Sequence, residues 1–256
     1  MRTIHLAKYF FVPTLFISIF LFQTIIAVAQ SKTDSSIYHE SLTNTVQYFK
    51  KSIKENLHLF EGDEYVYPPS FGQKIFGFPY YFSDGLLPGS IYYNGQFYDN
   101  VMMRFDLLNE KVVIIDPYFN VPIELHNEKI DSFFIDQHEF IQMTPRNDDA
   151  LHTNRFFYER LYNGKEILWS IHEKKLMLSA KAEEQSANYV QYDQYYLQKD
   201  SVFFGFDGKK KLLSLLSDKK SELKKFIRKN KLKFKTGSEK SFIKIIQYYD
   251  QIKKLQ

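Results

Sequence analysis

The chain has 256 residues, with 34 Lys and Arg, 30 Asp and Glu and no cysteine, and its formal net charge is +4 at pH 7. The lack of cysteine excludes disulfides and a cysteine-linked lipid anchor, and the hydrophobic content of 44% excludes a disordered chain. With 25 Phe and 19 Tyr the sequence is strongly aromatic, which favours strands because flat rings pack well on a pleated sheet.

The first 29 residues have the pattern of a cleavable secretory signal peptide. Arg2 and Lys8 form a short basic start, and residues 9–28 contain no charged side chain. Ala27 and Ala29 supply the small side chains that signal peptidase requires, which predicts cleavage after Ala29. The alternative is a retained membrane anchor, because 20 uncharged residues just span a hydrocarbon core of about 30 Å. We expect removal, and therefore an exported protein in the periplasm or at the cell exterior, with no retained transmembrane helix.

An amphipathic helix is predicted directly after the leader. Apolar side chains recur there every three or four residues, at Tyr38, Leu42, Val46, Phe49, Ile53, Leu57 and Phe60. The Pro68-Pro69 pair closes this element.

From about Ile75 to Phe206 the hydrophobic period changes to two, which predicts short strands. Asn94-Gly95 and Asn163-Gly164 are typical of tight hairpin turns, and a third hairpin is expected near Lys199-Asp200. The connections are too short for crossover helices, so the strands are expected to be antiparallel. The predicted strands are Ile91–Tyr93, Phe97–Phe105, Lys111–Ile115, Val121–Leu125, Ile130–Ile135, Glu139–Met143, Arg155–Leu161, Glu166–His172, Tyr189–Gln198 and Ser201–Phe206.

The C-terminal segment returns to helical spacing and is strongly basic. Residues 209–256 contain 16 Lys and Arg against 4 Asp and Glu, whereas residues 30–208 contain 16 and 26. Asp218 and Ser238 are expected to cap two helices. The apolar stripes of these helices are Leu212, Leu213 and Leu216, then Leu223, Phe226 and Ile227, then Phe242, Ile245, Ile246, Tyr249 and Ile252.

These elements predict an α+β, mainly β fold with an antiparallel meander or partly closed sheet, an N-terminal helix and C-terminal amphipathic helices. We expect a signal peptide over 1–29, an N-terminal helix plus antiparallel β domain over 30–208, and a basic helical segment over 209–256 packed on that domain.

A search for catalytic and metal-binding motifs leaves no candidate. The three His-Glu dipeptides, at His39, His138 and His172, lack the second histidine four residues later that a zinc protease needs. His126 and His138 could converge in the sheet, but their positions follow no ligand spacing. No nucleophile elbow, phosphate-binding glycine loop or cysteine is present. The sequence therefore predicts no catalytic, cofactor-binding or metal residues.

Two surfaces remain as candidate ligand sites. The lysine-rich tail favours an anionic envelope surface, and the alternative is an ordinary solvated helix face. We expect no nucleic acid partner, because exported proteins seldom meet one. The second candidate is an aromatic face that stacks against a glycan, for which the candidate residues are Tyr80, Tyr81, Tyr92, Tyr93 and Tyr98.

Several segments resemble a family of small exported proteins of Bacteroidota to which no activity is assigned. They are Phe60–Tyr65, Tyr92–Tyr98 with Arg104–Leu107, Lys129–Phe133, Phe157–Lys165 and the tail from Lys219 to Asp250. The resemblance supports export, and it supplies no catalytic residues to transfer to this chain. We therefore expect a non-enzymatic envelope accessory or binding protein whose partner is an envelope protein, a glycan or an anionic surface. The alternative is a glycan-binding or glycan-processing protein.

Overall fold

The computed structural model describes residues 41–45, 57–68, 74–117, 119–143, 155–179, 186–234 and 238–254. The chain divides into two compact units, Met1–Leu57 and His58–Gln256. In the first unit, residues 41–45 are helical (α1), within the predicted N-terminal helix. The predicted signal peptide, with Ala27 and Ala29, lies outside the described residues.

The second unit is built on one sheet, to which the described residues contribute twelve strands. The strands are β1 (Asp63–Glu64), β2 (Lys74–Phe76), β3 (Leu87–Tyr93), β4 (Gln96–Asp106), β5 (Lys111–Ile115), β6 (Pro122–Glu124), β7 (Ile130–Ile135), β8 (His138–Gln142), β9 (Phe157–Asn163), β10 (Ile167–Leu178), β11 (Ser186–Lys199) and β12 (Val202–Phe206). Their spatial order is β1-β6-β5-β4-β3-β7-β8-β9-β10-β11-β12, with β2 beside β11. The α+β, mainly β prediction is confirmed, and the sheet is open because its path ends at separate strands, β1 and β12.

The three hairpins predicted from turn chemistry are confirmed. Asn94 and Gly95 have φ of 52° and 75° and join β3 to β4, because a two-residue turn with positive φ matches the twist of the strands. β9 and β10 pair around Gly164, with Asn163 opposite Ile167. β11 and β12 pair around residues 200 and 201.

One strand pair departs from the antiparallel expectation. β2 runs parallel to β11, with Ile75 opposite Ala187. The argument from short connections applies only to strands that are neighbours in sequence, and a long stretch of chain separates β2 from β11. The length of the connection therefore does not constrain the direction of β2 relative to β11.

Helices close the C-terminal end of the unit: α2 (Lys209–Leu215), α3 (Lys220–Lys229) and α4 (Glu239–Lys254). The Ser238 carbonyl accepts hydrogen bonds from the N–H groups of Ser241 and Phe242, so α4 begins where predicted. Asp218 does not cap α3, since its carboxylate instead accepts hydrogen bonds from the Tyr249 hydroxyl. Among the described residues, no helix has the length and apolar character needed to cross a membrane.

Two hydrophobic clusters lie next to the candidate site, which is described below. The first is formed mainly by β3, β4, β5 and β7, and includes Tyr81, Phe140 and Phe157. The second joins β10, β11 and β12 to the three helices and includes Leu168, Leu197 and the apolar stripe of α4. A group of ionisable side chains lies where these clusters meet, because its members come from strands and helices that contribute to both.

Candidate functional site

Strand register gathers three ionisable side chains on one face of the sheet. Glu159 lies in the middle of β9, opposite Phe140 of β8 and Ser170 of β10. Side chains two residues apart along a strand share a face, so His138 and His172 become diagonal neighbours of Glu159. The sheet thereby places a carboxylate between two imidazoles that are 34 positions apart in the sequence.

The Glu159 carboxylate is shared by both imidazoles. Its Oε1 lies 2.5 Å from Nδ1 of His138, and its Oε2 lies 2.6 Å from Nε2 of His172. The other ring nitrogen of His172, Nδ1, lies 2.7 Å from Oδ1 of Asp193, its cross-strand partner on β11. Gln191 donates a further hydrogen bond to the same Asp193 oxygen. We call Tyr81, His138, Glu159, His172, Asp193 and Glu239 the charge cluster.

Tyr81 joins the charge cluster from the segment before β3. Its hydroxyl lies 2.9 Å from Nδ1 of His138 and donates to Oε2 of Glu159 at 3.2 Å. The buried Lys174 ammonium fixes this segment by donating to the carbonyl oxygens of Phe78 and Tyr80. One of the five predicted tyrosines therefore has a place in the candidate site, as a buried hydrogen-bonding group.

Glu239 reaches the charge cluster from the first turn of α4. One oxygen of its carboxylate, one oxygen of Glu159 and one ring nitrogen of His172 all lie within 4.8 Å of one another. Among the described residues, none forms a hydrogen bond or an ion pair with the Glu239 carboxylate. It is a partly buried acid that faces other acids without a donor of its own.

The electrostatics of the central pair favour charge on both members. Burial alone raises the pKa of Glu159, but its hydrogen bonds to His138 and His172 and their charges outweigh burial and lower it to about 2. Burial lowers the pKa of His172, but hydrogen bonds to Asp193 and Glu159 outweigh burial and raise it to about 9. At neutral pH these two residues form a buried ion pair.

Burial, hydrogen bonds and neighbouring charges also shift the pKa values of His138, Asp193 and Glu239. The hydrogen bond to Glu159 raises the pKa of His138 in spite of burial. Burial works to raise the pKa of Asp193, yet its hydrogen bonds from His172 and Gln191 prevail and lower it. For Glu239 the pKa is raised, first by burial and then by the negative charge of Glu159.

The charge cluster has a buried centre and an accessible rim. The side chains of Glu159 and His172 are each 3% exposed, whereas those of His138 and Asp193 are 30% and 33% exposed. Phe82 lies beside His138 with its ring mostly in solvent, and it adopts a φ of 60° that is costly for an aromatic residue. His138 and Asp193 therefore form the part of the charge cluster that contacts solvent.

No sequence motif predicts this arrangement, because its members come from four strands, one helix and the segment before β3. His126, considered beside His138 from sequence, lies elsewhere, with Nε2 3.1 Å from the Glu61 carbonyl oxygen. A weaker signal was present in the strands themselves. Glu159 and His172 interrupt runs of Phe, Tyr, Leu, Trp and Ile that are otherwise suited to a core.

The five tyrosines of the predicted ligand face do not form one exposed surface. Tyr80, Tyr81, Tyr93 and Tyr98 are buried, at 8% exposure or less, and Tyr92 is 45% exposed. Strand alternation explains the difference for Tyr92 and Tyr93, since neighbours in β3 point to opposite faces. Exposed Tyr92 packs against Phe97 with ring centroids 4.8 Å apart.

In chemical terms the charge cluster can hold a cation or keep a proton between carboxylates and imidazoles. Glu159, His172 and Glu239 offer one nitrogen and two oxygen donors around a common point, which is a ligand set for a metal ion. Comparison of the chain with protein-family models, with curated proteins and with solved structures finds no match.

Proposed function

We propose that this chain is an exported, non-enzymatic binding protein of the cell envelope that docks on an anionic envelope surface through its lysine-rich helices. The observation that carries the proposal is the charge on the outside of α2, α3 and α4. Within the described residues of 207–254, thirteen Lys and Arg side chains are exposed, against three Asp and Glu. The signal-peptide pattern of residues 1–29 supports the compartment.

The positive side chains lie on helices that are packed against the rest of the folded unit. The apolar stripes of these helices face the core, where Leu212, Leu223 and Ile245 are fully buried. On α3, the exposed side chains of Lys224 and Arg228 stand one turn apart and project away from that core. Cations spaced this closely lie within one Debye length of each other, about 8 Å at physiological salt, so their fields add at an anionic surface.

A shallow depression between α2 and α3 adds local shape to the charge. Lys209, Lys224 and Arg228 line it together with the apolar side chains of Leu213 and Ile227. Three cations around an apolar floor suit an anionic headgroup that carries a hydrocarbon chain. This combination favours an anionic lipid surface over a free anion.

The glycan alternative has weaker support from the geometry. A sugar-stacking platform needs aromatic rings that face solvent together, and four of the five candidate tyrosines are buried. The exposed Tyr92 and Phe97 rings remain as one pair.

Cosedimentation of the purified mature chain, which begins at Gln30, with lipid vesicles tests the proposal. We expect binding to vesicles that contain phosphatidylglycerol and little binding to pure phosphatidylcholine. We also expect at least tenfold weaker binding when salt rises from 0.1 M to 1 M, because the Debye length falls from about 10 Å to about 3 Å. Equal binding to both vesicles, or binding that salt does not weaken, contradicts the proposal.

A matched pair of triple variants locates the surface. Lys224→Gln, Lys225→Gln and Lys229→Gln together remove three of the five exposed positive charges of α3. The control variant combines Lys74→Gln, Lys165→Gln and Lys175→Gln, which removes the same charge from exposed sites on and beside the sheet. We expect the α3 variant to lose most vesicle binding and the control variant to keep it, whereas equal losses would show that only net charge matters.

A further inference from the structure

We propose that Glu159, His172 and Glu239 bind one divalent transition-metal ion, for which Zn²⁺ is the representative, where α4 meets the sheet. The proposal concerns the charge cluster and is independent of the lipid-binding surface. Its geometric basis is the convergence of three ligating atoms from β9, β10 and α4 within 4.8 Å of one another.

The donor set indicates the class of metal. One imidazole nitrogen with two carboxylate oxygens suits Zn²⁺ and other divalent first-row metals, whereas Ca²⁺ and Mg²⁺ prefer oxygen alone. Bonds of about 2.0–2.2 Å to Zn²⁺ place tetrahedral ligand atoms about 3.3 Å apart. To reach this spacing, Nε2 of His172 and Oε2 of Glu159, which are 2.6 Å apart, must separate by about 0.7 Å. The Glu239 carboxylate must move closer to them, and its partly buried side chain is held by no hydrogen bond within the described ranges.

Neighbouring residues already orient the ligands as metal sites require. Nδ1 of His172 lies 2.7 Å from the Asp193 carboxylate, which turns Nε2 toward Glu159 and Glu239. A carboxylate behind a metal-bound histidine is a common supporting contact in such sites. His138 bonds Oε1 of Glu159 and leaves Oε2 facing His172.

Charge gives a second, independent reason. Besides the neutral Tyr81 hydroxyl, the charge cluster contains three carboxylates and two imidazoles, so with these five groups charged its net charge is −1. The Glu239 carboxylate faces the negative charges of Glu159 and Asp193 as well as the positive charges of His172 and His138, and no described residue donates a hydrogen bond to it. A divalent ion that bonds Nε2 of His172 displaces the proton between His172 and Glu159, and that proton passes to the buffer. The ion enters with +2 and the proton leaves with +1, which brings the net charge of the cluster to zero.

Calorimetric titration of the chelator-treated full chain with Zn²⁺ tests the inference. We expect one ion per chain, and binding at least tenfold weaker in Glu239→Gln and in His172→Gln. The matched controls are Glu222→Gln, an exposed acid on α3, and His58→Gln, an exposed histidine outside the charge cluster. Both controls should bind Zn²⁺ as the wild type does, and Ca²⁺ should bind at least a hundredfold more weakly than Zn²⁺.

Glu239→Gln is the deciding variant, because it removes a charge from a side chain that makes no hydrogen bond in the described ranges and should fold normally. Its circular dichroism and thermal unfolding in chelator verify the fold, so weaker binding reports on the ligand itself. With Co²⁺ as a probe, the visible absorption of the bound ion should change in this variant. The inference is overturned if the wild type binds no Zn²⁺, or if Glu239→Gln binds it with unchanged affinity and an unchanged Co²⁺ spectrum.

Discussion

His172 and Glu159 form a hydrogen-bonded ion pair, 2.6 Å from Nε2 to Oε2, in which each side chain is only 3% exposed. Because Glu159 also bonds His138, its carboxylate balances two imidazoles at once. Glu159→Gln keeps the shape of the side chain and removes this balance. Breaking a buried ion pair on one side costs about 3–5 kcal/mol, so we expect a loss of about 3 kcal/mol in the free energy of unfolding. Urea unfolding at pH 7 in the presence of chelator measures it.

The control for this prediction is Glu222→Gln on the exposed side of α3, which should change the free energy of unfolding by less than about 0.5 kcal/mol. If Glu159→Gln is as stable as the control, the imidazoles do not depend on the carboxylate, and the ion-pair description of the site fails.

The pH dependence of stability follows from the same pair. Folding raises the pKa of His172 from 6.5 to about 9, so its contribution is fully present below pH 6.5 and is lost as pH rises through 9. Folding lowers the pKa of Glu159 from 4.5 to about 2, so its contribution is fully present above pH 4.5 and is lost as pH falls toward 2. In chelator, we expect both contributions to be complete between about pH 4.5 and 6.5.

The measurement is the unfolding free energy of the wild type minus that of His172→Gln, from pH 5 to pH 9.5. This difference should shrink by on the order of 1–3 kcal/mol between pH 6.5 and 9.5. The matched control is His58→Gln, which removes an imidazole whose side chain is 60% exposed. A wild-type advantage that grows with pH contradicts a raised pKa for His172.

Much of the fold follows from local patterns in the sequence. Asn94-Gly95 determines a hairpin through the backbone conformation that the turn requires, and the stripe from Phe242 to Tyr249 determines α4 through helical spacing. The strand order does not follow, because the pairing of β3 with β7 depends on contacts between segments that are distant in the chain. No local pattern encodes which remote edge a strand will join.

The charge cluster could not be predicted for the same reason. Its members carry no fixed spacing, and they meet because the register puts Ser170 opposite Glu159 and Asp193 opposite His172. The sequence did show that Glu159 and His172 were unusual residues for apolar strands. It could not show that each was the partner of the other.

At Gly164, the turn between β9 and β10 packs closely against α4. A Cβ at this position would overlap the carboxylate of Asp250 and the ring of Tyr162. Asp250 is buried, and it accepts hydrogen bonds from the Lys165 backbone N–H and the Tyr162 hydroxyl. Gly164→Ala should therefore lower the free energy of unfolding by about 1–3 kcal/mol, as overpacking typically does.

Thermal and urea unfolding of Gly164→Ala and of the control variant Gly208→Ala measure this loss of stability. Gly208 has extended backbone and no atom within 4 Å of an added Cβ, so its substitution should cost less than about 0.5 kcal/mol. Equal stability of the two variants would show that the turn does not press against α4.

The predicted signal peptide can be tested independently of the folded unit. Signal peptidase accepts only small side chains at its recognition positions, so the exported chain should begin at Gln30. Ala29→Arg should block cleavage, and the larger precursor should then accumulate at the membrane. Intact-mass measurement of the secreted or periplasmic fraction identifies the first residue, and Ser31→Arg, just beyond the cleavage point, serves as the control that should still be processed. Recovery of the wild-type chain from the cytosol with residues 1–29 attached would falsify export, and with it the proposed envelope role.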